Sequence, residues 1–310
     1  MNEKTRQPTL AQLRALVAVA DALHFGDAAA RLGLSQPSVS AAIAGLEASL
    51  GTVLLERSTR RVVLTPAGTS AAAHARSVLS SVDRLVGSAK HDAQPFSGPL
   101  RLGVIPTVAP YLLPLLLRTL VRRFPALRPD VREDQTARLL ADLAAGQLDL
   151  LLLALPSGGD AVTELPLYDE DFVLLVNEKD PLAGKSRLDP VVLQHVRLLL
   201  LDEGHCLRDQ ALDLCRQVGA TTKHPARATS LTTLSRLVAA GLGTTLLPAT
   251  AAAVEVRRGL ATATFRPPVP GRRLGLVHRE SSYRAEEYAQ IAERFRSALH
   301  STSLPVRVTR

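Results

Sequence analysis

The sequence predicts a multi-domain α+β protein, and three observations predict it. Short helical patterns and two brief apolar runs fill the N-terminal part, and one uninterrupted helical pattern follows them. Beyond these, short apolar runs alternate with helical patterns, which is typical of an α/β domain. We therefore expect a small N-terminal domain over 1–65, a linker helix over 66–92, a hinge over 93–99, a two-lobed α/β domain over 100–300 and a tail over 301–310.

Composition narrows the classes of protein to which the chain can belong. Its 310 residues are 46% hydrophobic and 21% charged, which is ordinary for a water-soluble protein with two or three cores. The polar start lacks the pattern of a secretory signal, and no apolar stretch is long enough to cross a membrane. We expect a cytoplasmic protein without membrane contact. The net charge of +8 is compatible with a polyanionic partner.

The N-terminal domain reads as three helices followed by a hairpin. Apolar residues recur at helical spacing from Leu10 to Leu23, and a shorter helix over about 26–32 ends at Gly33. Ser35 is an N-cap candidate for a third helix, in which Val39, Ile43, Leu46 and Leu50 form an apolar stripe. The runs 53–55 and 62–64 predict a two-stranded wing with a basic tip.

This arrangement suits DNA binding. A recognition helix enters the major groove with polar residues at its N-terminal end, where glutamine can pair with adenine and serine can reach bases or phosphates. Arginines on a wing suit phosphates or the minor groove. The candidate contacts are Ser35, Gln36, Pro37, Ser38, Ser40, Arg57, Arg60 and Arg61. The alternative is a small helical domain with a solvated polar face, because helix-turn-helix patterns also arise without DNA binding.

The linker helix carries an apolar seam. It is expected to start at Thr65-Pro66 and to run to about His91. Small and medium apolar residues recur along it by threes and fours, as in a coiled coil: Ala71, Ala75, Val78, Val82, Leu85 and Ala89. A lone helix cannot bury such a seam, so we expect dimerisation through this helix.

These motifs carry a family resemblance. The stretch 28–68, AAARLGLSQPSVSAAIAGLEASLGTVLLERSTRRVVLTPAG, resembles the winged helix-turn-helix of LysR-type transcriptional regulators. The SQPSVS core, the LLERSTR wing and the TPAG helix start appear in the family's order. The resemblance implies a regulatory domain like a periplasmic binding protein, double-stranded promoter DNA and RNA polymerase as partners, and a homotetramer assembled from dimers.

The regulatory part is expected to form two lobes. Apolar runs such as 100–104 and 148–155 suit strands of a parallel sheet covered on both faces. A second strand–helix series is expected to begin at Phe172 and to end with a helix over 285–299. A cleft should lie between the two series.

Two cysteines, Cys206 and Cys215, are the candidate reactive groups. His205, Arg208 and the expected start of a helix over 209–215 surround Cys206, and positive charge of this kind favours thiolate over thiol. If the intervening nine steps are helical, the Cα atoms lie about 13 Å apart, beyond the roughly 4.4–6.8 Å of a disulfide. Oxidation would then have to refold the helix. The alternative is that Cys215 is only a core residue.

Further segments narrow the resemblance within the family. LLLLDEGHCLRDQALDLC at 198–215, the stretch 227–248 and IPTVAPYLLP at 105–114 closely resemble the peroxide-sensing members. The resemblance implies that Cys206 is the peroxidatic thiol and Cys215 the resolving thiol, with antioxidant genes as targets. It further implies that Thr107, Thr136, His205 and Asp209 shape a pocket for hydrogen peroxide. Both threonines are equally helix-cap candidates, and Arg208 suits either the thiolate or Asp209.

Two other functions stay open from the sequence. Most LysR-type regulators respond to a small organic effector in the interlobe cleft, and the cysteines would then be incidental. A thiol peroxidase fused to a DNA-binding domain is disfavoured, because no second redox motif for recycling is present. We therefore expect no enzyme, and we expect neither a cofactor nor a metal site, since the histidines show no ligand spacing.

Overall fold

The structure, a computed structural model, describes residues 7–57, 62–91, 94–220 and 227–309. The chain divides into two compact units. One comprises Met1–Ala93 with Ala144–Gln147, and the other comprises Gln94–Leu143 with Leu148–Arg310. Each unit has its own hydrophobic interior.

The N-terminal unit begins with three helices and a two-stranded wing, which confirms the predicted winged helix-turn-helix. The elements are α1 Leu10–Ala22, α2 Phe25–Leu32, α3 Gln36–Leu50, β1 Leu55–Arg57 and β2 Val62–Leu64. Thr9 closes a capping box with Gln12 at the start of α1, and Gly33 ends α2 in the left-handed conformation. The strands β1 and β2 pair antiparallel.

The buried stripe of α3 is shorter than the sequence predicts. Val39, Ile43 and Leu46 are fully buried against α1 and α2, whereas Leu50 is exposed. Leu50 is the last residue of α3, and Gly51 takes the chain away from the core at that point. The inclusion of Leu50 in the stripe was therefore wrong.

The long helix α4 spans Pro66–His91. Its first turns pack on the N-terminal core, where a Cβ at Gly68 would lie 1.9 Å from the Leu54 carbonyl oxygen, so only glycine fits there. Ala72 and Ala75 are buried against the same core. Farther along, Val78, Leu85 and Val86 are exposed, which leaves an apolar strip on the surface of this chain.

The first lobe of the second unit is a mixed sheet covered by helices. Its elements are β3 Gly98–Val104, α5 Ala109–Arg123, β4 Leu127–Glu133, α6 Thr136–Ala144, β5 Leu150–Leu155, the first half of β6 Val162–Asn177, β11 Gly271–Arg279, α10 Ala285–His300 and β12 Arg307–Val308. The strand order β4-β3-β5-β11-β6 places β5 in the centre, between β3 and β11. Leucines and valines of these strands form one continuous core with α5 and α10.

The second lobe is built on the other half of β6. Its elements are a 3-10 helix at Pro190–His195, β7 Leu200–Leu201, α7 Cys206–Gln217, β8 Arg227–Ala228, α8 Leu231–Ala239, β9 Thr245–Pro248, α9 Ala249–Glu255 and β10 Leu260–Thr264. The strands β9 and β10 pair with β6 on either side. The second core lies between this sheet and α7, α8 and α9.

The two apolar runs that predicted parallel strands, β3 and β5, pair parallel with each other, but much of the remaining sheet is antiparallel. Only β3 with β4, β3 with β5, and β7 with β8 are parallel among the described strands, whereas β6 pairs antiparallel with β9, β10, β11 and β12. A continuous apolar run indicates burial on both faces, but it does not encode direction. The tail, in which no pattern is recognisable from the sequence, is ordered through the pairing of β12 with β6.

In the part of the chain that the structure describes, no helix combines the length and apolar character needed to cross a membrane.

Candidate functional site

Cys206 is the first residue of α7, three residues before the helix start that the sequence predicts. His205 occupies the N-cap position without forming a side-chain cap hydrogen bond. The first N–H groups of a helix lack partners within it, and the N-terminal end carries partial positive charge. The Cys206 sulfur therefore lies where the helix favours a negative charge.

A small pocket lies beside Cys206. Its lining residues come from the ends of β3 and β4 and from the start of α7: Ile105, Pro106, Thr107, Gln135, Thr136, Gly204, His205 and Cys206. Four residues that the resemblance implied, Thr107, Thr136, His205 and Cys206, are thus brought together. They come from both lobes of the regulatory unit.

The two threonine hydroxyls differ in their hydrogen bonding. Thr107 is buried, and its Oγ1 accepts a hydrogen bond of 2.9 Å from Nη1 of Arg272, which leaves the hydroxyl proton available for donation. The Oγ1 of Thr136 is buried without a hydrogen-bond partner among the described residues. Buried hydroxyls are normally satisfied, so the Thr136 hydroxyl is available to a polar atom of a ligand.

Arg272, which the sequence analysis did not single out, carries the positive charge of the site. Its side chain is fully buried, and Nε donates to Oε1 of Glu170 at 2.8 Å. Burial lowers the pKa of Arg272, but its electrostatic interactions with Glu170 and Cys206 outweigh this effect and raise it. Arg272 therefore stays a cation and acts electrostatically on Cys206.

The ion pair is held from both lobes. Nη2 of Arg272 donates to the Thr107 carbonyl oxygen at 3.2 Å, and Oε2 of Glu170 accepts from the Thr250 hydroxyl at 2.5 Å. Thr250 lies in α9 of the second lobe, whereas Thr107 follows β3 of the first. The neighbouring Arg273 points to the other face of β11 and pairs with the partly exposed Asp169. Successive side chains of a strand point to opposite faces of the sheet. This alternation was the signal in the sequence that one of the two arginines is buried.

His205 is buried, and burial lowers its pKa while Asp202 and Glu133 oppose that effect. The ring is accordingly neutral at pH 7, so one ring nitrogen donates and the other accepts. His205 can therefore exchange a proton with a ligand in the pocket.

Gly204 shapes the loop before Cys206. Its φ of +91° favours glycine, and a Cβ there would lie 2.3 Å from Oε1 of Gln135. Gln135 in turn donates from Nε2 to the Glu203 carbonyl oxygen at 2.9 Å. This contact ties the loop to the end of β4.

Two other residues of the predicted pocket lie beside it. Nη1 of Arg208 lies 3.2 Å from Oε1 of Glu203, an ion pair outside hydrogen-bonding geometry. Asp209 is exposed in the first turn of α7, where its charge suits the helix dipole. Neither residue lines the pocket around Cys206.

Cys215 lies in the same helix, and both thiols are free. Nine helical steps separate it from Cys206, which corresponds to about 13 Å and to opposite helix faces at roughly 100° per residue. Cys206 packs against the first core, whereas Cys215 is buried in the second. Burial raises the pKa of Cys215, so the resolving candidate is a neutral thiol at pH 7.

The candidate DNA-contacting residues cluster at the start of α3. Ser35 is the N-cap and accepts a hydrogen bond from the Ser38 backbone N–H at 3.3 Å. Gln36, Pro37 and Ser38 are exposed, whereas Ser40 is half-buried. Of the wing arginines, Arg60, Arg61 and the Arg57 side chain lie outside the described residues. The described residues contain no group of three or more side chains that could hold a metal ion.

Two family models match the chain. The bacterial regulatory helix-turn-helix protein, lysR family, matches residues 10–69, and the LysR substrate binding domain matches residues 93–300. A probable hydrogen peroxide-inducible genes activator of Streptomyces viridosporus is 53% identical, over 100% of both chains. The DNA-binding transcriptional dual regulator OxyR of Escherichia coli K12 is 43% identical, over 93% of this chain and 94% of that protein.

Solved structures show the same likeness. A hydrogen-peroxide-bound cysteine-to-serine mutant of Corynebacterium glutamicum OxyR is 46% identical, with a TM-score of 0.67 over 96% of this chain and 94% of that one. A full-length cysteine-to-aspartate variant of Pseudomonas aeruginosa OxyR is 32% identical, with a TM-score of 0.77 over 98% of this chain and 99% of that one. The chain belongs to the LysR family of bacterial helix-turn-helix transcriptional regulators.

Proposed function

We propose that this protein is a transcriptional regulator that senses hydrogen peroxide through Cys206 and controls antioxidant genes. The observation that carries the proposal is the placement of a free cysteine at a helix N-terminus, in a polar pocket and within the field of a buried arginine. A helix N-terminus and a guanidinium group stabilise negative charge, and cysteine attacks peroxide in its anionic form. Relatives named as peroxide-inducible activators and as OxyR support the same function.

The first step is a two-electron oxidation of Cys206. The thiolate attacks one oxygen of hydrogen peroxide, the O–O bond breaks, and Cys206 becomes a sulfenic acid. The leaving hydroxide takes a proton and departs as water. Thr107 and Thr136 donate hydrogen bonds to the peroxide oxygens, and neutral His205 accepts the proton that the Cys206 thiol loses and returns it to the leaving hydroxide.

The second step joins the two cysteines. The Cys215 thiol loses its proton and attacks the sulfenic sulfur of Cys206, a disulfide forms and water leaves. A separation of about 13 Å along a helix forbids this bond in the present fold. Because Leu207, Ala211 and Leu214 bury the same helix, its unwinding must repack the second core. Such repacking makes α7 the element that switches.

The switch acts on DNA through the oligomer. Exposed Val78 and Val86 on α4 suit pairing with a second copy of that helix, and the family's arrangement extends dimers to tetramers. The start of α3 then contacts promoter DNA, with RNA polymerase as the protein partner and the cytoplasm as the compartment. Repacking around α7 alters subunit contacts and so moves the DNA-binding domains.

Stopped-flow kinetics on the reduced full-length protein test the proposal. We expect rapid, peroxide-dependent loss of the Cys206 thiol, a trapped sulfenic acid in Cys215→Ser, and no reaction in Cys206→Ser. A full transcriptional response to peroxide in Cys206→Ser contradicts the proposal.

A further inference from the structure

A second polar groove lies on the first lobe, away from the cysteines. It runs between the C-terminal halves of α5 and α10 and has a volume of about 350 Å³. Four arginines line it, Arg118, Arg122 and Arg123 from α5 and Arg294 from α10, and no lining residue is acidic. The groove plays no part in the peroxide chemistry.

The arginines carry uncompensated charge. Among the residues that the structure describes, none of the four forms an ion pair, and the nearby Glu293 is paired with Arg296 instead. Arg118 and Arg122 lie one helical turn apart, a like-charge spacing that destabilises an isolated helix. Both helix C-termini add about half a negative charge, which is small beside four guanidinium groups. The groove thus keeps a strongly positive field at a cost to stability.

The remaining polar groups specify what the groove can bind. The hydroxyls of Thr119, Ser297 and Thr302 each donate to a backbone carbonyl of the same helical segment. The donors left for a ligand are therefore the guanidinium N–H groups, which match the oxygens of phosphate in a fork geometry. The groove has no aromatic lining residue on which a base could stack, so the recognised group is the phosphate itself.

We propose that this groove, the α5–α10 groove, binds a small anion that carries two or more phosphoryl groups. A single phosphate engages one guanidinium fork, whereas arginines on both helices and a volume of about 350 Å³ suit a longer polyanion. Occupancy neutralises the repulsion between Arg118 and Arg122. The bound anion therefore stabilises the first lobe.

Calorimetric titration of the reduced full-length protein with inorganic pyrophosphate tests this proposal. The test variant is Arg118→Gln/Arg122→Gln, because glutamine keeps the helix propensity of arginine. The matched control is Arg257→Gln/Arg258→Gln, which removes the same charge from exposed positions of the second lobe. We expect saturable binding to one site per chain, weakened about tenfold or more in the test variant and less than about twofold in the control.

Two outcomes overturn the proposal. The first is binding that does not saturate, or that weakens equally in both variants, which indicates a diffuse charge effect. The second is a lower affinity for non-specific duplex DNA and a shallower salt dependence in the test variant without pyrophosphate binding, which assigns the groove to the DNA backbone.

Discussion

The Arg272 guanidinium and the Glu170 carboxylate form an ion pair of 2.8 Å with both side chains fully buried. Through its other nitrogens Arg272 holds Thr107, and through its charge it acts on Cys206. A buried ion pair of this kind contributes little net stability, but the removal of one partner leaves the other charge buried and uncompensated. The pair fixes the position of a cation whose charge acts on Cys206.

Glu170→Gln should therefore impair both folding and reactivity. We expect a loss of about 3 kcal/mol in the free energy of unfolding, because Arg272 keeps its charge without a carboxylate. Peroxide oxidation of Cys206 should slow, since Arg272 loses its anchor. Urea unfolding and stopped-flow kinetics measure the two effects. Asp169→Asn is the control, because Asp169 pairs with the half-exposed Arg273 and should change neither value much. If Asp169→Asn lowered the free energy of unfolding and the oxidation rate as much as Glu170→Gln, a specific role of the Arg272–Glu170 pair would be contradicted.

The two threonines should respond in opposite ways to substitution by valine. Thr136→Val removes a buried hydroxyl that has no partner in the described residues, so the stability of the reduced protein should stay equal or rise. Thr107→Val removes the acceptor of the Arg272 hydrogen bond and should cost about 1–3 kcal/mol. Both variants should slow Cys206 oxidation, each by about tenfold. Thermal unfolding and peroxide kinetics separate the effects, and unchanged kinetics in both variants would remove the threonines from the mechanism.

Gly204→Ala tests whether the loop before Cys206 tolerates a side chain at position 204. The residue has φ +91° and no room for a Cβ beside Gln135, whereas Gly259 has φ +90° with nothing within 4 Å. Gly259→Ala therefore reports backbone strain alone, about 1–2 kcal/mol. Gly204→Ala should cost more and should also slow oxidation, because Gln135 has to move. Identical stability losses and unchanged kinetics would show that the loop tolerates the shift.

The pH dependence of stability should reflect two buried histidines. Burial lowers the pKa of both His205 and His278 below the ordinary value of 6.5. The unfolded chain then binds more protons than the folded one below that value, so the free energy of unfolding falls as the pH drops through 6.5. Urea unfolding between pH 8 and pH 5 measures how steeply the free energy of unfolding changes with pH. His205→Asn should make this dependence shallower. A stability that rises on acidification in this range would contradict the assignment.

The thiols, Thr107 and His205 lie in contiguous segments that resemble the peroxide-sensing members, and the roles of these residues and of Thr136 were implied by that resemblance. The sequence also predicted the winged helix-turn-helix, whose caps and apolar spacing are local. The role of Arg272 was not predicted because it depends on the ion pair with Glu170. Glu170 lies about a hundred residues earlier in the chain and reaches Arg272 only through the pairing of β6 with β11. Long-range pairing of this kind leaves no local pattern.

The parallel pairing of β3 with β5 was predicted, but the antiparallel part of the sheet was not, for a related reason. Leucine-rich runs indicate burial, but β11 enters the sheet between β5 and β6 and imposes antiparallel pairing from the far end of the chain. The start of α7 was placed three residues late, since His205 gives no side-chain cap to read. That shift matters, because it makes Cys206 the first residue of the helix.

The central claim is that peroxide joins Cys206 to Cys215 and that the bond refolds α7. Peptide mass spectrometry on the reduced full-length protein, treated with about one equivalent of hydrogen peroxide, tests it most directly, with a footprint of the bound promoter DNA in parallel. We predict rapid formation of a Cys206–Cys215 disulfide together with an altered footprint. Two free thiols and an unchanged footprint would contradict the account and would leave a LysR-type regulator with another effector.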